Sequence, residues 1–565
     1  MRHEPDQGGQ AGAATRLIGT VWRYRLPILA SLFLLSPVVI FDIALSVERG
    51  RGIDKLSLFA LPASICWLLV AQGVFRRLWV AHLLLFPFYC FTVAELYLIT
   101  KYDMRLTSST IGVMLENLHH TWDFARMQGP VEFLGIVALV LAFAALLWGM
   151  RNLRVGSWKP LGFGLAGAAL VYGAVVVHGF RQFGDLPMAA MNVVSHDRNS
   201  PFGVIPQSAI ARIVYNDAMD HQRKSAGFKF NASRGAVPSG REVIVLVVGE
   251  SSRRDRWSLF GHSLPTTPRM QSAPGVIPLT DMVTQQALTQ VSVPLMLTRR
   301  SINHPKDRMD EKSIISAFRE AGFRTFWLST QQRDQWTGAI NRYSGEADVS
   351  HFLERRHDGV LVDELRDILE ETRDPNAKLF FVLHTQGSHF VFRDRYPSAT
   401  APFAVQGDEK SRMSAEYDNS IEYTDQVLGR LVGALTDDGG RTALLYVSDH
   451  GENLYDDDRN LFGHMRNNEF DMPIPALLWV SPAFEADEPG KLAAARRNAS
   501  LPLNTRIVFS TLADLVGITI PDMDVAELSL FSPTLKPPPR MFLKNEKIVN
   551  YDDWLETTQK QATLP

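Results

Sequence analysis

Five apolar stretches crowd the first 180 residues of this chain, at 26–47, 56–75, 78–99, 131–150 and 161–180. Each is about 20 residues long, enough to cross roughly 30 Å of hydrocarbon as a helix. Lipid offers no partners for backbone N–H and C=O groups, so such segments must be helices. The first third is therefore read as an α-helical transmembrane bundle of five spans over 26–180. The overall hydrophobic content of 46% hides this concentration by averaging. A total of 565 residues leaves room for a further domain outside the membrane.

Lys and Arg give the orientation. With the N-terminus inside, the inner segments hold Arg2, Arg16, Arg23, Arg25, Arg76, Arg77, Arg151, Arg154 and Lys159, against Arg49, Arg51, Lys55, Lys101, Arg105 and Arg126 outside. Nine against six has the sign of the positive-inside rule. Five spans then place everything after Arg181 on the far side of the membrane. The expected order is a cytoplasmic tail at 1–25, the membrane domain, a bridging segment at 181–240 with one helix over 207–221, a catalytic domain at 241–535 and a tail at 536–565. No small-residue cleavage site follows the first span, which is expected to stay as an anchor.

A net charge of −2 and no basic run interleaved with aromatics argue against nucleic acid as a partner. The two cysteines, Cys66 and Cys90, both fall in apolar spans, so they read as thiols in lipid and exclude a cysteine zinc cluster. Asp42, His82, Glu95 and His178 also lie in the spans, where ionisable groups face a bundle interior or snorkel to the surface. Between the third and fourth spans, IGVMLENLHHTWDF (111–124) has apolar residues at helical spacing and is expected to lie at the interface.

From Arg241 onward, strand-like runs at 243–248, 325–328, 379–383, 443–447 and 476–480 alternate with helical patterns at 313–321, 361–372 and 415–435. That alternation predicts an α/β domain with a largely parallel central sheet. Polar residues collect just beyond the strands. In VIVLVVGESSR (243–253) the apolar run leads through Gly249 into Glu250, and the run 443–447 leads through Ser448 into Asp449 and His450, oxygen and nitrogen donors suited to zinc. His384, His389 and His464 stand on other loops that the sheet would bring to the same edge. A lone loop histidine is usually only a surface residue, but four at successive strand ends are not independent accidents. LTQVSVP (288–294) offers two hydroxyl nucleophiles, Thr289 and Ser292, between which spacing does not choose.

VVGESSR followed by WSLFGHSLPTTPRM, the TxxSVP element, HTQGSH, YVSDHGE and the late Gly463-His464 together resemble the phosphoethanolamine transferases of Gram-negative inner membranes, in the alkaline phosphatase and sulfatase superfamily. The resemblance covers most of the chain and implies an alkaline-phosphatase-like catalytic domain in the periplasm of a multi-pass inner-membrane protein. It implies zinc held by Glu250, Thr289, Asp449 and His450, with Thr289 as nucleophile. It makes His384, His389 and His464 substrate-binding or second-metal residues, and Asn117 a donor-binding residue.

The implied reaction moves phosphoethanolamine from phosphatidylethanolamine to lipopolysaccharide (lipid A or core sugar) or a periplasmic glucan, by a monomer. A phosphoglycerol transferase or phosphodiesterase on the same fold, and a non-catalytic membrane scaffold that binds a glycan, are the competing readings. Three positions depart from the family pattern. His120 stands where relatives often carry Glu, no lysine follows Trp327, where Arg333 is the available cation, and the soluble part has no cysteine for a disulfide.

Overall fold

A computed structural model describes residues 22–37, 55–102, 130–155, 157–183, 223–235, 239–304, 307–331, 340–353, 356–459, 461–544 and 547–562. The chain divides into two compact units, Met1–Val214 and Tyr215–Pro565.

In the first unit the described parts of all five apolar segments are helical: α1 (Arg25–Pro37), α2 (Lys55–Phe75), α3 (Leu78–Leu84) with α4 (Phe86–Tyr102), α5 (Pro130–Met150) and α6 (Lys159–Phe183). The third segment is broken, α3 and α4 meeting at 55°. Pro87 explains the break, since it has no N–H for the preceding turn and its ring crowds that turn's carbonyl. Among the described residues only Lys159–Val177 is by itself long and apolar enough to cross a bilayer, or two spans if α3 and α4 count as one. Arg25–Ser36, Ala60–Phe75 and Val137–Met150 are apolar but shorter, so the helices do not establish five crossings.

Burial in this unit is inverted relative to a water-soluble bundle. Leu134, Leu141, Trp148 and Leu170 are each about two-thirds exposed or more, while Ser64, His82, Thr92 and Glu95 are buried. His82 Nδ1 lies 2.8 Å from the Tyr89 hydroxyl. Both cysteines are free thiols, Cys66 buried and Cys90 exposed. His178 lies on α6; Asp42, the 111–124 segment with Asn117 and His120, and the expected helix at 207–221 lie outside the described residues.

The second unit is built on a seven-stranded sheet. In chain order its strands are β1 (Glu242–Gly249), β2 (Val276–Leu279), β3 (Arg324–Ser329), β4 (Val349–Phe352), β5 (Lys378–His384), β6 (Arg441–Ser448) and β7 (Ala476–Val480). Their spatial order is β2-β7-β6-β1-β5-β3-β4. β6, β1, β5, β3 and β4 pair in parallel, but β7 runs antiparallel to both β6 and β2. The sheet is therefore mixed, parallel through the middle and reversed near one edge.

Both faces of β1 are buried, which is why its apolar run does not alternate with polar residues. One face, carrying Ile244, Leu246, Val248, Phe380, Val382, Leu445 and Val447, packs in a single core with α7 (Thr289–Leu297), α8 (Ile314–Glu320) and α11 (Ile507–Leu515). α9 (Gly359–Glu371) and α10 (Glu409–Asp438) pack together and against β3 and β6. Ser313 caps α8 by accepting from the Ile315 N–H, and the Asp408 carboxylate caps α10 through the Ser411 N–H.

The compact unit extends past both expected limits of the catalytic domain. Ser233–Arg234, from the bridging segment, pairs with Ile518–Thr519. The stretch from 536 onward includes a hairpin, β8 (Met541–Lys544) and β9 (Lys547–Asn550), followed by α12 (Tyr551–Ala562). Phe542 and Tyr551 are buried in a cluster with Val283, Ala287 and Met472, so this stretch is part of the domain rather than a tail.

Candidate active site

β1 and its parallel neighbours β5 and β6 end at the same edge, the register Val248↔His384 and Gly249↔Ser448 bringing their following loops together. Glu250 is the first residue beyond β1 and is 1% exposed. Its Oε1 accepts from Ser251 Oγ (2.6 Å) and its Oε2 from Gln331 Nε2 (3.0 Å). Gly387 presses against its backbone, and a Cβ there would come within 2.5 Å of the Glu250 carbonyl oxygen.

Beyond β6, Asp449 Oδ1 accepts the N–H groups of Ser251 (3.1 Å) and His450 (2.7 Å), which leaves Oδ2 facing the site. His450 Nδ1 lies 2.8 Å from the Gly451 carbonyl, an acceptor only, so Nδ1 carries a proton. Nε2 is turned toward Glu250 (3.5 Å) and Asp449 (3.4 Å).

Thr289 opens α7, and its Oγ1 lies 2.7 Å from Asp449 Oδ2, 3.1 Å from Glu250 Oε2 and 3.2 Å from His450 Nε2. One hydroxyl proton cannot serve two carboxylates at once. Four lone-pair-bearing atoms facing one another with so few protons between them form a donor set for a cation. Ligand atoms of Glu250, Asp449 and His450 all lie within 4.8 Å of one another, and all three residues are buried. Two carboxylates, an imidazole and a hydroxyl, with the imidazole's outer nitrogen tied to a carbonyl, fit a zinc-type site.

The electrostatics agree. Burial, and next the Asp449 charge, push the Glu250 carboxyl up to about 7. Burial works against a charged His450, but Asp449 and then Glu250 outweigh it and raise the imidazole to about 9. Burial raises Glu452 to about 8. These are groups packed together without enough positive charge, which a divalent ion would supply.

His464 joins this group. Its ring centroid is 4.3 Å from that of His450, and its Nδ1 lies 3.2 Å from Glu452 Oε2. Burial, reinforced by His450, pushes its imidazole down to about 3. His389 follows at 5.7 Å from His464, giving a row of three rings.

His384 stands apart. It is the last residue of β5, on the face of Val382, and its ring meets Trp327 edge-on at 5.6 Å. It is 2% exposed, neither ring nitrogen has a hydrogen-bond partner among the described residues, and burial pushes it down to about 4. Ser292 is buried within α7, its hydroxyl without a hydrogen bond among the described residues, so of the two candidate hydroxyls only Thr289 reaches the cluster. Asn117 and Arg333 lie outside the described residues.

Sequence reasoning passed over several groups that shape the site. Gln331 ties Glu250 to the Thr385 carbonyl (2.9 Å), two residues past the end of β3. Asp358, which looks like an ordinary N-cap of α9, instead accepts the N–H groups of Gln386 (2.9 Å) and Gly387 (2.8 Å) and the Thr330 hydroxyl. The Tyr417 hydroxyl donates to the Ser251 carbonyl (2.6 Å) and accepts from the Arg253 N–H (2.9 Å). Only the position of Gln331 after a strand could have flagged any of them.

Residues 242–518 match the Sulfatase family model. A putative transferase of Escherichia coli, YhbX, is 33% identical over 248 residues, 43% of this chain and 44% of that protein. The chain thus spans less than half of that relative. The phosphoethanolamine transferase EptC of E. coli is 24% identical over 543 residues, 85% of this chain and 89% of its own length. The crystal structure of the EptC periplasmic domain in complex with zinc superposes with a TM-score of 0.52 at 24% identity, covering 57% of this chain and 95% of the domain. The integral membrane protein EptA of Neisseria meningitidis, a lipooligosaccharide phosphoethanolamine transferase, superposes with a TM-score of 0.68 at 20% identity over 91% of this chain and 99% of its own.

Proposed function

We propose that the chain, with its Sulfatase-family domain and its similarity to EptC over most of its length, is a phosphoethanolamine transferase that moves phosphoethanolamine from phosphatidylethanolamine to a cell-envelope acceptor through a covalent intermediate on Thr289. One observation carries this reading: the Thr289 hydroxyl sits within hydrogen-bonding distance of Glu250, Asp449 and His450 at once.

Glu250, Thr289, Asp449 and His450 would hold zinc, the ion of the EptC domain complex. Bound there, it would lower the cost of deprotonating the hydroxyl and neutralise phosphoryl charge. The chain's own groups provide the rest. The nearest acceptor for the Thr289 proton is Asp449 Oδ2, 2.7 Å from the hydroxyl oxygen. As Thr289 Oγ1 bonds to phosphorus, the bond from phosphorus to the diacylglycerol oxygen breaks, and that oxygen takes up the proton given up by Thr289 and leaves as diacylglycerol. The N-terminus of α7, which Thr289 opens, would lend partial positive charge to the attacked phosphate. His464 and His389 would bind phosphoryl oxygens or a second ion. An acceptor hydroxyl or phosphate then attacks the same phosphorus, and Thr289 regains its proton.

The acceptor is lipid A, a core sugar or a periplasmic glucan. The protein works as a monomer in the inner membrane with its catalytic domain in the periplasm, and Asn117 contacts the donor. Mass spectrometry after incubation with the donor should find an adduct of about 123 Da, one phosphoethanolamine group, on the peptide holding Thr289. Full transfer by a Thr289→Ala variant would sink the assignment. Labelled phosphatidylethanolamine beside labelled phosphatidylglycerol separates this activity from phosphoglycerol transfer, and a purified protein that takes up no zinc would speak for a scaffold.

A further inference from the structure

The loop after His464 turns through two non-glycine residues in the left-handed region, Met465 (φ 69°) and Asn467 (φ 49°). Such residues are strained and persist only where their surroundings fix them. One side of the loop is fixed by Asp471, whose carboxylate accepts the N–H groups of Arg466 (2.7 Å), Asn467 (3.0 Å) and Asn468 (2.6 Å). The other side is fixed from the far end of the chain. Lys544 Nζ, at the end of β8, donates to the carbonyls of Arg466 (2.9 Å) and Asn467 (2.8 Å). Its ammonium lies 4.9 Å over the ring of Trp554 on α12, and Phe542 and Tyr551 bury the hairpin against Val283, Ala287 and Met472.

The same loop touches both sides of the catalytic cluster. The Met465 N–H donates to the Ala287 carbonyl (3.0 Å), and Asn467 Oδ1 accepts the Ala287 N–H (2.9 Å), two residues before Thr289. The Asp471 carbonyl accepts the N–H of Gly451 (2.8 Å), next to His450. We propose that the C-terminal hairpin is part of the catalytic apparatus, and that Lys544 is a positioning residue that clamps the His464 loop and, through Ala287, holds Thr289 in place. The proposal rests on the reading of Thr289 and His464 as reacting-site groups. Lys544 acts here as a double donor to carbonyls, so arginine can take its place and methionine, of similar length, cannot.

The test uses the full chain in detergent with Lys544→Met and Lys544→Arg. Lys544→Met should speed amide hydrogen exchange in 464–471 and 285–289 while 242–248 stays protected. It should lower kcat by about tenfold or more, since a 1 Å misplacement can cost about a hundredfold, with KM for phosphatidylethanolamine within about twofold and zinc content unchanged. Lys544→Arg should restore most of both. Unchanged exchange overturns the clamp, and faster exchange with unchanged kcat overturns the positioning role. If Lys544→Met does not fold, Lys544→Gln, too short to reach both carbonyls, replaces it, and the same two results overturn the clamp and the positioning role. The exchange result does not depend on the reaction. Activity in Thr289→Ala would remove the functional reading and leave the clamp standing or falling by itself.

Discussion

His384 offers a sharp test because the sequence groups it with His389 and His464 whereas the structure sets it against Trp327 with no partner for either nitrogen among the described residues. Burial holds it down to about 4 against an ordinary 6.5. A folded value below the unfolded one means the unfolded chain takes up the proton first. The stability is thus full above about 6.5, is lost as pH falls from there toward 4, and does not change further below that. A difference of about 2.5 units at 1.36 kcal/mol each gives roughly 3 kcal/mol in all, and about 2 kcal/mol between pH 7.5 and pH 5. Urea unfolding of the 215–565 unit, followed by tryptophan fluorescence, would read this as a fall in midpoint of roughly 0.7–1 M for a slope near 2–3 kcal/mol/M. Groups shared by the wild type and His384→Leu cancel in the comparison, so the variant should lack about 2 kcal/mol of the wild type's pH dependence. Parallel pH profiles would refute the buried, neutral imidazole. So would a wild-type dependence that zinc abolishes and the variant lacks, which would return His384 to the metal site.

Three substitutions probe the scaffold around the metal cluster. Gly387→Ala forces a Cβ to within 2.5 Å of the Glu250 carbonyl oxygen at a residue with φ of 50°, and should lower stability by about 1–3 kcal/mol and weaken zinc binding, measured by thermal melts and chelator competition. Gln331→Ala leaves Glu250 Oε2 without its amide donor and should weaken zinc binding by about 10- to 100-fold with little change in melting temperature. Tyr417→Phe strips the buried carbonyl of Ser251 and the buried N–H of Arg253 of one shared partner, a loss of about 1–3 kcal/mol in urea unfolding.

What the sequence discloses follows from where each residue lies in the sheet. β1, β5 and β6 are central and covered on both faces, so their apolar runs are continuous and their ends predict the site edge. β2 and β4 escape notice because they are edges: β2 contains Pro278, tolerable with a neighbour on one side only, and β4 reads Val-Ser-His-Phe, half polar. The direction of β7 is not written in ALLWV, which reads the same either way; pairing with β2 and β6 sets it. The broken third helix, by contrast, is written at Pro87.

The same logic sorts the site residues. Glu250, Asp449 and His450 follow central strands, so pattern alone places them together. Thr289 and Ser292 look equivalent until α7 forms, when Ser292 falls about 4.5 Å deeper along the helix axis and only Thr289 meets the cluster. His384 and His389 share one short segment, yet the first is still in the strand, where alternation assigns it the face of Val382, and the second is past it, where the loop turns toward His464. Lys544 carries no signal at all. Its partners are the carbonyls of Arg466 and Asn467, main-chain groups carrying no side-chain identity, in a loop that turns through two left-handed residues. Residues that work through backbone carbonyls across long sequence separations are hidden from sequence reading by their chemistry, and the C-terminal hairpin belongs to that class.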